Sequence, residues 1–275
     1  MTIIEAPDRC QSCPANTNRS LTRLGLVTEK WDYLVALAGN PNTGKSTIFN
    51  ALTGLQQHTG NWAGKTVVRA EGSYQYDSKT YKIIDLPGIY SLLSANAEEQ
   101  VARDFILFGR PAVTIVVTDA ARLERNLNLA LQILEITDQV VIALNLIDEA
   151  QRHGIEVDAH LLERKLGVPV VPTSARFGRG IPQLLAAVAR VANKNYPLRP
   201  YQLTYRNKEM EKAVEAISGQ VRKLYPTLPN ARWVAMRLLD HDESILNAVQ
   251  NGTLGRFDPD HQSRAELLSG VLENA

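Results

Sequence analysis

Four short segments carry residue types that can do chemistry together. The first is GNPNTGKST at 39–47, which fits GxxxxGK[ST] between a strand-like and a helix-like run. Its glycines, Gly39 and Gly44, let main-chain N–H groups close around phosphates, with Asn42, Thr43 and Thr47 completing the loop. The helix start adds partial positive charge, Lys45 reaches β- and γ-phosphates, and Ser46 offers a hydroxyl to Mg²⁺. The second is DLPG at 85–88: Asp85 suits the Mg²⁺ shell, and the main chain of Gly88 can approach a γ-phosphate as only glycine allows.

The third segment is NLID at 145–148. A carboxylate at Asp148 can accept two hydrogen bonds from the N1–H and exocyclic amine of guanine. Adenine has no N1 proton and would leave that charge unpaired, a mismatch worth a discrimination of roughly 10⁴ or more. The fourth, TSAR at 173–176, can bring the Ala175 N–H to the guanine oxygen, and Asn145 and Ser174 count with Asp148 and Ala175 among the nucleotide-binding candidates. Taken singly, DLPG, NLID or TSAR is an ordinary turn. Their order on successive strand ends points to a GTP- and GDP-binding site.

The elements that must position these residues are legible as apolar runs at 33–38, 81–84, 113–117, 140–144 and 168–171, with helical patterns at 45–52, 126–136 and 159–166. Buried strands alternating with helices predict an α/β fold, a P-loop GTPase domain whose mostly parallel sheet is flanked by helices, with ligands at the carboxyl ends of the strands. After YPLRP near residue 196 the pattern is helical only, through Met210, Val214, Ile217 and Val221 and again through Trp233, Met236 and Ile245. This divides the chain into a tail at 1–30, a G domain at 31–195 and a small all-α domain at 196–275.

Composition excludes several alternatives. The 275 residues carry a formal net charge of +1 and are 44% hydrophobic, so there is a sizeable core and no global field to draw the chain onto nucleic acid. No apolar run reaches the roughly 18 residues that cross a bilayer, and the first 30 residues hold no secretory-type stretch, so the chain reads as cytosolic. Two cysteines, Cys10 and Cys13, make no disulfide framework and lack the further ligands of a zinc site.

The ordered boxes resemble the translation-factor-like branch of small GTPases. More narrowly, GNWAGKTV at 60–67, DLPGIYSL at 85–92 and DAARLERNLNLALQ at 119–132 resemble FeoB, the bacterial ferrous iron transporter, over residues 33–191. The resemblance implies a slow GTPase switch, with a helical domain said to favour the GDP-bound form. It implies Thr66 as the switch threonine that closes on Mg²⁺ and the γ-phosphate, although Ala63 and Lys65 stand where the family carries Pro and Val. Ile89 occupies the place of the water-orienting glutamine of Ras-like proteins and cannot hydrogen-bond a nucleophile.

In the family, the phosphate-loop asparagine helps bind a K⁺ ion in place of an arginine finger. Asn42 matches it, and Gly60 and Trp62 match the switch-loop carbonyls. Catalysis then falls to Asn42, Lys45, Thr66 and Gly88, with Arg122, Arg125 and Arg176 as competing sources of positive charge. The resemblance places the chain at the cytoplasmic face of the inner membrane, partnered by a transmembrane portion that follows residue 275. No nucleic-acid partner is expected, and a homo-oligomer is left open. A ribosome- or RNA-associated GTPase of the Era-like type is the alternative, disfavoured because the tail reads as no basic RNA-binding module.

Overall fold

A computed structural model describes residues 31–54, 57–62, 67–93, 96–201, 207–225, 228 and 230–250. Cys10, Cys13, Ala63, Lys65 and Thr66 lie outside the described residues.

Seven strands form one sheet in the order β2-β3-β4-β1-β5-β6-β7. They are β1 (Tyr33–Gly39), β2 (Gln57–Asn61), β3 (Val68–Tyr76), β4 (Lys79–Asp85), β5 (Val113–Asp119), β6 (Val140–Asn145) and β7 (Val170–Pro172). Strands β4, β1, β5, β6 and β7 run parallel, and β2 and β3 extend the sheet antiparallel at one edge. Both β5 and β6 are buried along their whole length, as apolar runs covered on two faces must be.

Successive side chains alternate between those faces. Val35 and Leu37 of β1 enter one core with Ile48 and Phe49 of α1 (Lys45–Thr53), while Ala36 and Ala38 enter the other. Helices α2 (Ala97–Phe108), α3 (Leu123–Ile136), α4 (Ile147–Arg152), α5 (Ala159–Leu166) and α6 (Ile181–Ala192) complete the layers. Their starts follow capping rules: Asn96 and Asp158 side chains accept from Glu99 N and Leu161 N.

The last described part is helical, as its periodicity predicts: α7 (Lys208–Leu224), α8 (Ala231–Leu239) and α9 (Glu243–Gln250). Val214, Trp233 and Ile245 share one continuous core with α2 and α3. Asn230 joins the two parts at a single residue. Its Oδ1 caps α8 by accepting from Trp233 N at 3.1 Å. Its Nδ2 donates to the main-chain oxygens of Glu135 and Ile136, which α3 leaves without helical donors at its end.

One reading needs completion. Apolar runs alone did not reveal β2 and β3, because these strands carry polar and charged residues such as His58, Arg69 and Glu71. Trp62, next to β2, is buried: it is 3% exposed, lies edge-on against Phe105 at 5.4 Å and sits beneath the Arg69 guanidinium. Among the described residues, no helix is long and apolar enough to cross a membrane.

Candidate functional site

The GxxxxGK[ST] loop leaves β1 at Gly39 and enters α1 at Lys45. Its path is enforced from within. Asn42 adopts a left-handed backbone with φ of 65°, and Gly44 does so with φ of 80°. A Cβ at Gly44 would overlap the Asn145 amide nitrogen, and one at Gly39 would stand 2.8 Å from Val117 O. Thr43 Oγ1 closes the turn by donating to Asn40 O at 2.8 Å. Asn42, Ser46 and Thr47 remain exposed, so their polar groups face outward from a loop whose shape the protein itself holds.

DLPG sits next to this loop because β4 pairs parallel with β1. Leu86 N donates to Leu37 O at 2.9 Å and Ile89 N to Gly39 O at 3.3 Å. Between those ties lies Gly88, where a Cβ would meet Pro41 only at ordinary contact distances of 3.4 Å and more. Protein packing therefore does not demand glycine there. Lys45 Nζ donates to Asp85 Oδ1. Burial pushes the Asp85 carboxyl above its usual range, and the Lys45 charge and hydrogen bond oppose that rise.

NLID and TSAR meet because β6 and β7 are neighbours. The Asn145 side chain is buried at their junction. Its Nδ2 donates to Thr43 O at 2.9 Å, and its Oδ1 accepts from Ala175 N at 3.1 Å and Thr173 Oγ1 at 3.2 Å. Leu146, with φ of 60°, turns the chain so that α4 starts at once and Asp148 falls in its first turn. Ser174 Oγ donates to Asp148 Oδ1 at 2.5 Å. That bond, helped by Arg152, holds the Asp148 carboxyl below its usual range. Asp148 lines an open depression of about 540 Å³ together with Gln151, Arg152, Arg176 and Phe177.

The structure thus gathers Gly39, Asn42, Thr43, Gly44, Lys45, Ser46, Thr47, Asp85, Gly88, Asn145, Asp148, Ser174 and Ala175 at the carboxyl end of the sheet. Gly60 and Trp62 stand at the same end of the sheet, since Thr59, Ala70 and Asp85 are in register across β2, β3 and β4, but on its outer edge. They belong to the edge hairpin, where Gly60 pairs with Arg69 and Trp62 N donates to Val67 O. No hydrogen bond links either to Asn42 among the described residues. Of the competing arginines, Arg125 stacks on Tyr90 at 4.5 Å and Arg176 lies near Phe177.

Sequence reasoning overlooked Phe177 and Gln151, which carry no motif signal, and the buried Asn40 within the phosphate loop. It also gave no structural part to Thr173, which binds Asn145. No grouping of three or more His, Cys, Asp or Glu that could hold a metal occurs among the described residues.

The parallel sheet, the glycine-shaped phosphate loop and the two base loops joined by Asn145 define a P-loop GTPase fold. Residues 33–188 match the family model of ferrous iron transport protein B, and residues 207–274 match that of the FeoB cytosolic helical domain. The chain belongs to the FeoB family and comprises its N-terminal G domain and helical domain.

It is 39% identical over 263 residues to an Fe(2+) transport protein A/Fe(2+) transporter FeoB fusion protein of Porphyromonas gingivalis, covering 91% of this chain and 31% of that protein. To the Fe(2+) transporter FeoB of Escherichia coli K12 it is 38% identical over 216 residues, 76% of this chain and 27% of that one. The chain therefore spans less than a third of the length of these curated relatives. The cytosolic domain of the T. maritima FeoB iron transporter, solved in a GDP form, superposes with a TM-score of 0.73 at 36% identity, covering 80% of this chain and 85% of that one.

Proposed function

We propose that this chain binds GTP and hydrolyses it to GDP and phosphate as the switch portion of a ferrous iron uptake transporter. One observation carries the reading most directly. Asp148 stands beside an open depression with its carboxylate kept ionised by Ser174, and next to Ser174 in the chain the Ala175 N–H is held by Asn145. Acceptor and donor are thus ordered for the complementary edge of guanine. The T. maritima relative with GDP supports the same nucleotide class.

At the phosphate end, Lys45 and the N–H groups of the glycine-shaped loop bind the β- and γ-phosphates. Gly88, whose lack of a side chain the protein packing does not require, leaves its main chain open to a γ-phosphate. Ser46 and Asp85 present oxygen donors of the kind a hard divalent cation takes, with Thr66 as the third group. Mg²⁺ there would neutralise the β- and γ-oxygens. Lys45 must leave Asp85 for both groups to take up these roles.

Ile89 is 3% exposed and apolar, so it orients no water. Asn42 is exposed on a left-handed turn of the GxxxxGK[ST] loop, which suits a K⁺ site completed by the Gly60 and Trp62 carbonyls once the edge hairpin opens. K⁺ held there would stabilise developing charge as a guanidinium does. Hydrolysis measured in K⁺ and in Na⁺ tests this: faster turnover in K⁺, abolished in Asn42→Ala with GDP affinity retained, supports it, and equal rates in both salts remove the K⁺ role.

The division into a tail at 1–30, a G domain at 31–195 and a helical domain at 196–275 accompanies this reading. So do a transmembrane partner, in keeping with the greater length of the relatives, and a place at the cytoplasmic face of the bacterial inner membrane.

A further inference from the structure

We propose that Gln132 is a positioning residue for GTP hydrolysis, the anchor that holds the segment following Gly88 against α3. The proposal rests on the hydrolytic reading above. Its geometry is specific. Gln132 Oε1 accepts from Leu92 N at 2.7 Å and from Ser91 Oγ at 3.1 Å. The side chain is 8% exposed, and its Nε2 donates to Asn128 Oδ1 at 3.4 Å. Two helical turns earlier on the same face of α3, Arg125 stacks on Tyr90. One face of one helix therefore grips residues 90, 91 and 92 in succession.

The chemistry requires an acceptor at this point. A main-chain N–H can only donate, so the atom of Gln132 that faces Leu92 must be its oxygen. The Leu92 side chain is fully buried, and its N–H has no main-chain acceptor among the described residues. A buried donor left without a partner is unfavourable, so removing the Gln132 oxygen releases this stretch of chain.

Release matters because of what the stretch carries. Ile89 N is tied to Gly39 O, and Leu92 N to Gln132. Only Tyr90 and Ser91 lie between these two fixed points, so Gly88 stands one residue outside a short, doubly held span. No side chain at 89 can orient water, which leaves the placement of this main chain to its anchors. A displacement of about 1 Å in such a group is enough to slow a reaction on the order of 10²-fold.

The test compares Gln132→Met, which keeps length without an acceptor, with Gln132→Glu, which keeps the acceptor oxygen. Gln132→Asn, one methylene too short to reach, replaces the methionine variant if that one does not fold. Amide exchange at Leu92, single-turnover GTP hydrolysis in K⁺ and GDP affinity are measured on the whole chain. Loss of the acceptor is expected to speed Leu92 exchange and slow hydrolysis by about tenfold each. GDP affinity stays within about twofold and the glutamate variant restores both rates, because the loss is one of positioning and not of binding.

Unchanged Leu92 exchange in the methionine variant overturns the anchor. Unchanged hydrolysis, or a glutamate variant as slow as the methionine one, overturns the positioning role. A wild-type chain that hydrolyses no GTP overturns the function proposed above, and the Leu92 exchange result then still decides the anchor by itself.

Discussion

Asn145 at the end of β6 donates its amide to the main-chain oxygen of Thr43 at 2.9 Å, through the space that a side chain on Gly44 would fill. The NLID loop and the GxxxxGK[ST] loop therefore share one buried residue. The same side chain fixes the Ala175 N–H with its oxygen. Neither loop can move alone without leaving a buried polar group unpaired.

Asn145→Ala should cost nucleotide affinity at both ends of the site. It leaves Thr43 O, Ala175 N and the Thr173 hydroxyl without their partner, at about 1–3 kcal/mol for each group that water cannot reach. Titration calorimetry with GDP should show affinity lower by at least about 30-fold, since even 2 kcal/mol amounts to that factor.

Gly44→Ala should fail through geometry rather than charge. Its φ of 80° lies where a Cβ is strained, and the new methyl would displace Asn145. The left-handed backbone alone costs about 1–2 kcal/mol. Urea unfolding should show that loss or more, with GDP binding reduced in parallel.

Lys45→Met should make stability depend on pH in a defined direction. Burial already raises the Asp85 carboxyl above 3.8, and Lys45 is the group that holds it down. Without Lys45 the folded-state value rises further above the unfolded one. The folded state then binds the proton more readily, so the variant is penalised at neutral pH and recovers as pH falls through the folded-state value towards 3.8. Urea midpoints at pH 7 should fall by the equivalent of about 3 kcal/mol for this largely buried pair, and the gap to wild type should narrow as pH is lowered towards 3.8.

Ser174→Ala should move the acid limb of nucleotide binding. The Ser174 hydroxyl is the largest cause of the lowered Asp148 value, so wild type keeps its carboxylate ionised below 3.8 and GDP affinity carries no Asp148 titration from pH 8 to pH 5. Removing the hydroxyl raises the Asp148 value and shifts that limb upward in pH. At pH 7 the loss of one charge-assisted bond should weaken GDP binding roughly tenfold, measured by fluorescence competition.

Much of this site was legible in the sequence because each motif sits where a buried strand ends. YLVALA, YKII and VVIAL are the runs that a covered parallel sheet accommodates, and Gly39, Asp85 and Asn145 follow from their ends. The edge hairpin was less legible. Its strands are short or rich in polar residues, and Glu71 and Arg69 are buried because they pair with each other and with Lys82, not because they are apolar. Trp62 likewise owes its burial to Phe105 of α2, a partner too distant in the chain for periodicity to reveal. Gln132 was visible as a letter in LNLALQ, but its partners at 91 and 92 emerge only when α3 packs across the segment after DLPG.

The central claim is that the Asp148 carboxylate selects guanine. Competition binding of GTP, ATP and xanthosine triphosphate to wild type and to Asp148→Asn, with Mg²⁺ present, tests it most directly. The account predicts that wild type prefers GTP over ATP by roughly 10⁴ and that the asparagine variant transfers its preference to the xanthosine nucleotide, whose exocyclic C2 carbonyl oxygen, in place of guanine's amine, accepts from an amide donor. Equal retention of ATP and GTP by wild type, or a variant that still favours GTP, would contradict it.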